Sequence, residues 1–355
     1  GFVEASAYYR RQKDHYKFDR TSESNAFIHE TRAWAVGLNG AHPVSERLRL
    51  LYAGQVTGDD IDSTSLENGP FTTRTYAKGS AIAEASGRVT AGTLTGQTGL
   101  TFDATNRDDN AFSPIVRLEL ERPQEGGGVN RYYASFVRST QVPGYTAIGS
   151  PTGGGLFAGN PNLGREEAWN LEAGLAMERG SWVLEAAVFH RWDRDLVDWT
   201  FQRGSPTART ANPVDIDTLG AELILTRSWG GLDLVASYTY LTKSEDYGQA
   251  GPNVDASFYA GNFARHRITA GLVWRINAQW SVRVDNEWRD QKENDLRQSD
   301  DTALFTHIGI SVYPPQLEHA EIFLAGENIW EADFEDVPGT PGRGDQYSAG
   351  LRYSW

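Results

Sequence analysis

Residues able to do chemistry are few and scattered in this chain. Its 355 residues include no cysteine, which excludes thiolate nucleophiles, disulfides, thiolate zinc sites and iron–sulfur clusters. The 7 histidines, His15, His29, His42, His190, His266, His307 and His319, fall at no metal-ligand spacing. A Gly-x-Ser-x-Gly elbow, a phosphate-cradling glycine loop and a His-Glu-x-x-His stretch are all missing, and no nucleophile is paired with a base. The sequence therefore reads as non-enzymatic. Two carboxylate clusters, Asp59-Asp60-Ile61-Asp62-Ser63 and Asp108-Asp109-Asn110, offer the hard oxygens that calcium takes. Neither carries the glycine and distal glutamate of an EF-hand loop, so a structural calcium on Asp59, Asp60 and Asp62 stands beside the simpler reading of solvated loop charge. No other cofactor is expected. The remaining candidates are aromatic: Tyr145, Phe157, Phe201, Tyr247, Phe258, Tyr259 and Phe263 lie in polar loop stretches. Rings over a pore could cover a large ligand, and ordinary loop packing is the competing expectation.

These candidates depend on the elements that carry them. Glycine is frequent at 37 residues, aromatics reach 12% and the apolar share is 39%, a mix that argues against a helical bundle or a plain α/β enzyme. Lys+Arg total 33 against 47 Asp+Glu, a net charge of −14, so nucleic acid is not an expected partner. No stretch is apolar enough for a membrane helix, and mean hydropathy is −0.50. A membrane barrel remains open, because only every second residue of its strands faces lipid.

Alternation supplies that signal. Trp182, Leu184, Ala186 and Val188 share one face, and Trp280, Val282, Val284 and Trp288 oppose Ser281, Arg283, Asp285, Glu287 and Arg289. Ile268, Ala270, Leu272 and Trp274, then Leu304, Thr306, Ile308, Ile310 and Val312, repeat the rule. Short connections near Gly40 to Glu46, Glu125 to Val129, Gly180-Ser181, Gly230-Gly231, Asn277 to Gln279 and Pro314 to His319 alternate with long polar loops. The loops are expected at Asp14 to Asn25, Thr57 to Thr72, Arg107 to Ser113, Gln141 to Glu167, Gln202 to Asp215, Ser244 to Ala264, Asp290 to Thr302 and Glu331 to Asp345. The pattern predicts an all-β fold, a transmembrane antiparallel up-and-down β-barrel with about 16 strands. Boundaries between Thr73 and Arg107 are the least defined. Aromatics at strand ends, such as Trp34, Trp229, Trp274 and Tyr313, fit an interfacial girdle. Inward charges, among them Glu172, Glu185, Glu222 and Arg267, would line the lumen.

Two motifs carry a family resemblance. The segment Leu324-Ala325-Gly326-Glu327-Asn328-Ile329-Trp330-Glu331-Ala332-Asp333-Phe334, followed by Pro338-Gly339 and Pro341-Gly342-Arg343, resembles the end of TonB-dependent receptors. Asn160-Pro161-Asn162-Leu163-Gly164-Arg165-Glu166, leading into Trp169-Asn170-Leu171-Glu172-Ala173-Gly174-Leu175, is similar to a second family segment. Arg165 replaces that segment's usual proline, and Phe334 the usual tyrosine. The last strand alternates strictly to Trp355, and with Tyr353 this resembles the aromatic signal read by the barrel-assembly machinery.

The resemblance implies that residues 1–355 are the C-terminal barrel portion of a receptor of about 22 strands. An N-terminal plug and the first strands would lie outside this sequence. The implied function is import of a scarce substrate, a siderophore, cobalamin or similar, across the bacterial outer membrane. The implied partners are TonB with ExbB and ExbD through the missing plug, the barrel-assembly machinery, and lipopolysaccharide with outer-membrane lipid. Two alternatives stay open. A passive 16-stranded porin would pair Phe2 to Tyr9 with Tyr347 to Trp355 to close on itself, and a surface-binding β protein would need no detergent.

Overall fold

Period-two alternation on a chain with 12% aromatics favours extended hairpins, and the computed structural model of the chain is built from them. It describes residues 1–17, 21, 26–67, 72–152, 157–205, 209–248, 254–317, 319–340 and 342–354. In chain order the strands are β1 (Phe2–Lys17), β2 (Ala26–Pro43), β3 (Leu48–Ser63), β4 (Thr73–Val89), β5 (Gly92–Thr105), β6 (Ala111–Pro123) and β7 (Val129–Gln141). A short helix, α1 (Tyr145–Gly149), precedes β8 (Glu166–Arg179), β9 (Trp182–Phe201), β10 (Thr210–Trp229), β11 (Leu232–Asp246) and the two-residue β12 (Ala256–Ser257). The remaining strands are β13 (Ala264–Arg275), β14 (Trp280–Gln291), β15 (Thr302–Val312), β16 (Ala320–Glu327) and β17 (Gln346–Tyr353).

The strands form one antiparallel sheet in which each long strand pairs with its sequence neighbours, β11 meeting β13 directly. Among the described residues, β1 pairs only with β2, and β17 only with β16, so the two edges form no ladder with each other. Nine strands of eight residues or more follow Arg165. Between Thr73 and Arg107 the chain makes a hairpin, turning at Thr90-Ala91 into Gly92 at φ 146°.

Short and long connections alternate from end to end, giving a short-turn rim and a long-loop rim. The strands run further toward the long loops than polarity suggests. Asp59, Asp60 and Asp62 lie within β3 rather than in a loop, β1 continues to Lys17, and β10 already begins at Thr210, inside the loop expected at Gln202 to Asp215. The reason is physical: polarity along a strand marks where apolar surroundings end, whereas backbone pairing continues wherever a partner strand does.

The two faces differ in chemistry. Leu219 and Leu223 of β10, Val188 of β9, and Trp280 and Trp288 of β14 stand exposed on one face. On the other, charges pair: Arg267 of β13 with Glu287 of β14 at 2.8 Å and, along β14 itself, Arg283 with Asp285 at 2.6 Å and Arg289 with Glu287 at 2.5 Å. The described parts of the connection 142–165, residues 142–152 and 157–165, fold over this face, Tyr145 touching β3 on one side and Ala158 touching β10 on the other, so it is the inner face. Glycines allow aromatic rings to lie along it. A Cβ on Gly174 would sit 2.6 Å from the Tyr133 ring, whose hydroxyl donates to Glu172 at 2.7 Å on the neighbouring turn of the pleat.

Candidate functional site

Both buried apolar clusters lie at the long-loop rim. Ala147 of α1 packs with Val197 and Ala211, while Val214 and Ile216 pack with Ala260. They form where β9 and β10 outrun their neighbours. A register shift between Val214 and Ile216, opposite Asp195 at φ 51°, breaks the alternation there and turns Leu196 and Val197 toward the covering loops. Asp198, fully buried, anchors one of those loops. Its carboxylate accepts the backbone N–H groups of Trp199 at 2.7 Å and of Phe258, Tyr259 and Ala260 at 3.0 Å each, plus the Tyr247 hydroxyl at 3.2 Å. A buried carboxylate with so many donors is satisfied, and it fixes residues 258–260 over the inner face.

Arg165 anchors a second loop. Its backbone N–H donates to Asp108 Oδ2 at 2.5 Å, its Nη1 to Thr140 at 3.2 Å and its Nη2 to the Asp109 carbonyl at 2.6 Å, with Asp103 at 3.6 Å. The arginine that stands where the family motif has proline thus ties the loop 106–110 to the end of β7. A third node is Arg297, whose guanidinium donates to Asn262 at 3.0 Å and to the Glu335 carbonyl at 3.2 Å, joining the loops before β13, before β15 and before β17. In the terminal motif Asn328 staples its own loop, bonding the carbonyls of Ala332 at 3.1 Å and Arg343 at 3.0 Å.

Between the anchored loops and the inner wall lies a cavity of about 640 Å³. Tyr145, Glu166, Arg191, Asp193, Trp199, Glu222, Lys243 and Tyr259 line it. Arg191 pairs with Asp193 at 2.7 Å, and Lys243 donates to the Tyr259 carbonyl at 2.8 Å. Glu166 accepts from the Gln141 amide and from Val197 N–H at 3.3 Å. The cavity therefore presents both charge signs beside aromatic surface, which suits a large polar ligand better than a hydrocarbon. Tyr145 closes it from above. Its hydroxyl donates to Asp59 Oδ1 at 2.5 Å, and its ring lies 4.5 Å from the Arg74 guanidinium and 5.8 Å from that of Arg107. Burial, then the bond to Asp59, push the Tyr145 phenol above its ordinary range.

The residues expected from sequence divide cleanly. Tyr145 and Tyr259 line the cavity. Phe157 stands edge-on to Trp199 at 4.9 Å, Tyr247 packs on the Ile216 cluster, Phe258 lies 4.1 Å from the Arg209 guanidinium, and Phe263 is buried beside Lys243. Phe201 lines a separate cleft with Ser257 and Leu296. These five hold loops rather than the cavity. Asp59 points inward and pairs with Arg74 at 3.0 Å, whereas Asp60 faces outward toward Arg32 at 3.6 Å. As neighbours on one strand they cannot converge on a single cation. Among the described residues no group of three or more carboxylates or histidines is arranged to hold a metal. Tyr353 is exposed at the end of β17, and Trp355 lies outside the described residues. Arg191, Asp193 and Lys243 carried no sequence signal beyond their inward parity, whereas Glu166 stood at the end of the second family segment.

No curated protein matches the chain in sequence. Solved structures do match in fold. The FrpB iron transporter of Neisseria meningitidis, in its F5-1 variant apoprotein form, superposes with a TM-score of 0.70 at 16% identity over 99% of this chain and 61% of that one. The siderophore receptor PirA of Acinetobacter baumannii gives 0.69 at 14% identity over 99% and 60%. The copper transporter OprC gives 0.68 at 12% identity over 99% and 62%. The chain thus spans about three fifths of the length of these structures. Residues 2–329 match the family described as TonB dependent receptor-like, beta-barrel. With that match covering all strands from β1 to β16, the chain belongs to the TonB-dependent receptor β-barrel family.

Proposed function

We propose that this chain forms the wall and mouth of an outer-membrane receptor that imports a scarce polar substrate, a siderophore or other metal complex, or cobalamin, with energy supplied through TonB, ExbB and ExbD. One observation carries the reading: α1 and the Asp198-anchored loop 258–260 are both held inward, so that Tyr145 and Tyr259 enclose a charged cavity on the inner face. The named functions of the structural neighbours, iron, siderophore and copper uptake, support the substrate class. The barrel-assembly machinery and lipopolysaccharide are the partners that an outer-membrane location brings. Among the described residues no helix is long and apolar enough to cross a membrane.

The test is uptake by the full-length receptor in cells with and without TonB, supplied with a panel of ferric siderophores and cobalamin. TonB-dependent uptake of one of them, lost on deleting residues 144–150, is the expected result. Uptake that is indifferent to TonB and to substrate chemistry would instead describe a porin. A self-closing porin also needs a ladder between β1 and β17, which the described residues do not form.

A further inference from the structure

The outer face carries an unneutralised cationic site at the short-turn rim. Arg227 of β10 shares its face with Leu219, Leu223 and Leu225, the apolar outer surface. Its guanidinium lies 4.2 Å from the ring centre of Trp182 and 4.4 Å from that of Trp229, held between two rings that are themselves exposed. Register sets a lateral row: Arg179 faces Trp182 across β8 and β9, and Trp182 faces Arg227 across β9 and β10. The two arginines are therefore two strand spacings apart, about 10 Å, within reach of one group for side chains this long.

Neither guanidinium has a carboxylate or a hydrogen-bond acceptor among the described residues, and Arg227 Nε is buried without a partner. The nearest acids are turned away. Glu178 and Asp233 occupy the opposite parity of their strands, and Asp233 is already paired with Arg275 at 2.6 Å. This contrasts with the rest of the molecule, where most arginines pair and the net charge is −14. The row also lies beside the tight turns Gly180-Ser181 and Gly230-Gly231, level with exposed Trp274, Trp280 and Tyr313 near other short turns. That is the headgroup level of an aromatic girdle.

We propose that Arg179 and Arg227, framed by Trp182 and Trp229, bind the phosphate of an anionic glycerophospholipid in the leaflet at the short-turn rim. The site rests on the outer-membrane reading. A phosphate between the two guanidinium groups satisfies donors that the protein leaves open, while the acyl chains run along Leu184, Leu223 and Leu225. The rings fix Arg227 before binding, so little side-chain order is lost when the lipid arrives.

Native mass spectrometry of the purified full-length receptor tests this, with phosphatidylglycerol and phosphatidylcholine as probes. The native protein should retain phosphatidylglycerol in preference to phosphatidylcholine. Arg179→Gln with Arg227→Met should weaken that retention about thirtyfold, each basic side chain near a charged surface being worth about fivefold. Arg227→Lys keeps the charge and should retain most of the binding. Equal retention by native and doubly substituted receptor, equal binding of the two lipids, or preferential binding of lipid A would overturn the site. Failure of the native receptor to insert into any bilayer would overturn the outer-membrane reading and the lipid site with it. Heat-modifiable migration on gels verifies that each variant has folded.

Discussion

The wall and the mouth of this molecule are built on different physics. Along the wall, apolar side chains such as Val188, Leu219 and Leu223 stay exposed, and inward charges pair with one another. It has no packed apolar core of its own among the described residues. At the mouth, the chain behaves like a small soluble domain: Val214, Ile216 and Ala260 are buried, and Asp198, Arg165 and Arg297 are held by networks of donors and acceptors. The wall is specified by a surrounding solvent, the mouth by its own contacts. Substitutions should therefore fail differently in the two regions.

The largest effect is expected at Asp198→Ala. Removing this carboxylate leaves buried backbone N–H groups of Phe258, Tyr259 and Ala260 without an acceptor, at a cost on the order of 3 kcal/mol or more. The loop 254–263 should become open to limited proteolysis while the barrel keeps its heat-modifiable migration. Loss of both together would mean that wall and mouth are one unit. In the wall, Leu223→Arg places a charge on the lipid face and should cost about 2–4 kcal/mol in reconstituted stability, whereas Ser237→Arg on the inner face should cost far less. Equal losses would contradict the assignment of faces.

A smaller effect is expected at Tyr145→Phe, which removes the bond to Asp59 but keeps the ring, at about 1 kcal/mol. Its pH dependence has a definite sign. The folded state holds the phenol above its ordinary value of about 10, so its contribution is complete below that value and is lost as pH rises through the higher folded value. Across neutral pH, native and variant loops should differ by a constant amount. In an alkaline absorbance titration the native receptor should show one late-ionising tyrosine more than the variant. If the extra tyrosine of the native receptor instead ionised at its ordinary value of about 10, Tyr145 would lie in solvent.

The same division explains what the sequence made legible. Strand parity in β9, β10 and β14, the alternation of short turns and long loops, and the inward charges follow from period-two patterning, since one face must meet lipid. The mouth was only partly legible. Tyr145 and Tyr259 could be picked as aromatic loop residues, but nothing local distinguished them from Phe258 or Phe263, which pack instead. Their roles depend on contacts between residues far apart in sequence, such as Asp59 with Tyr145 and Asp198 with Ala260. Asp59, Asp60 and Asp62 read as loop residues because their strand leaves the apolar zone before it ends. Arg165 was visible as a departure from the family motif, although its partners in the 106–110 loop were not.

The described parts of the 142–165 connection fold onto the inner wall, and the chain's lack of cysteine allows a direct test. Ala147 of α1 and Ala211 of β10 share one buried cluster. With cysteine at both positions in the full-length receptor, disulfide formation in intact outer membranes should be rapid and nearly complete, and should leave barrel migration unchanged. If the two thiols remain free under oxidation that links other contacting pairs, the connection does not lie on the inner wall, and the cavity it roofs does not exist.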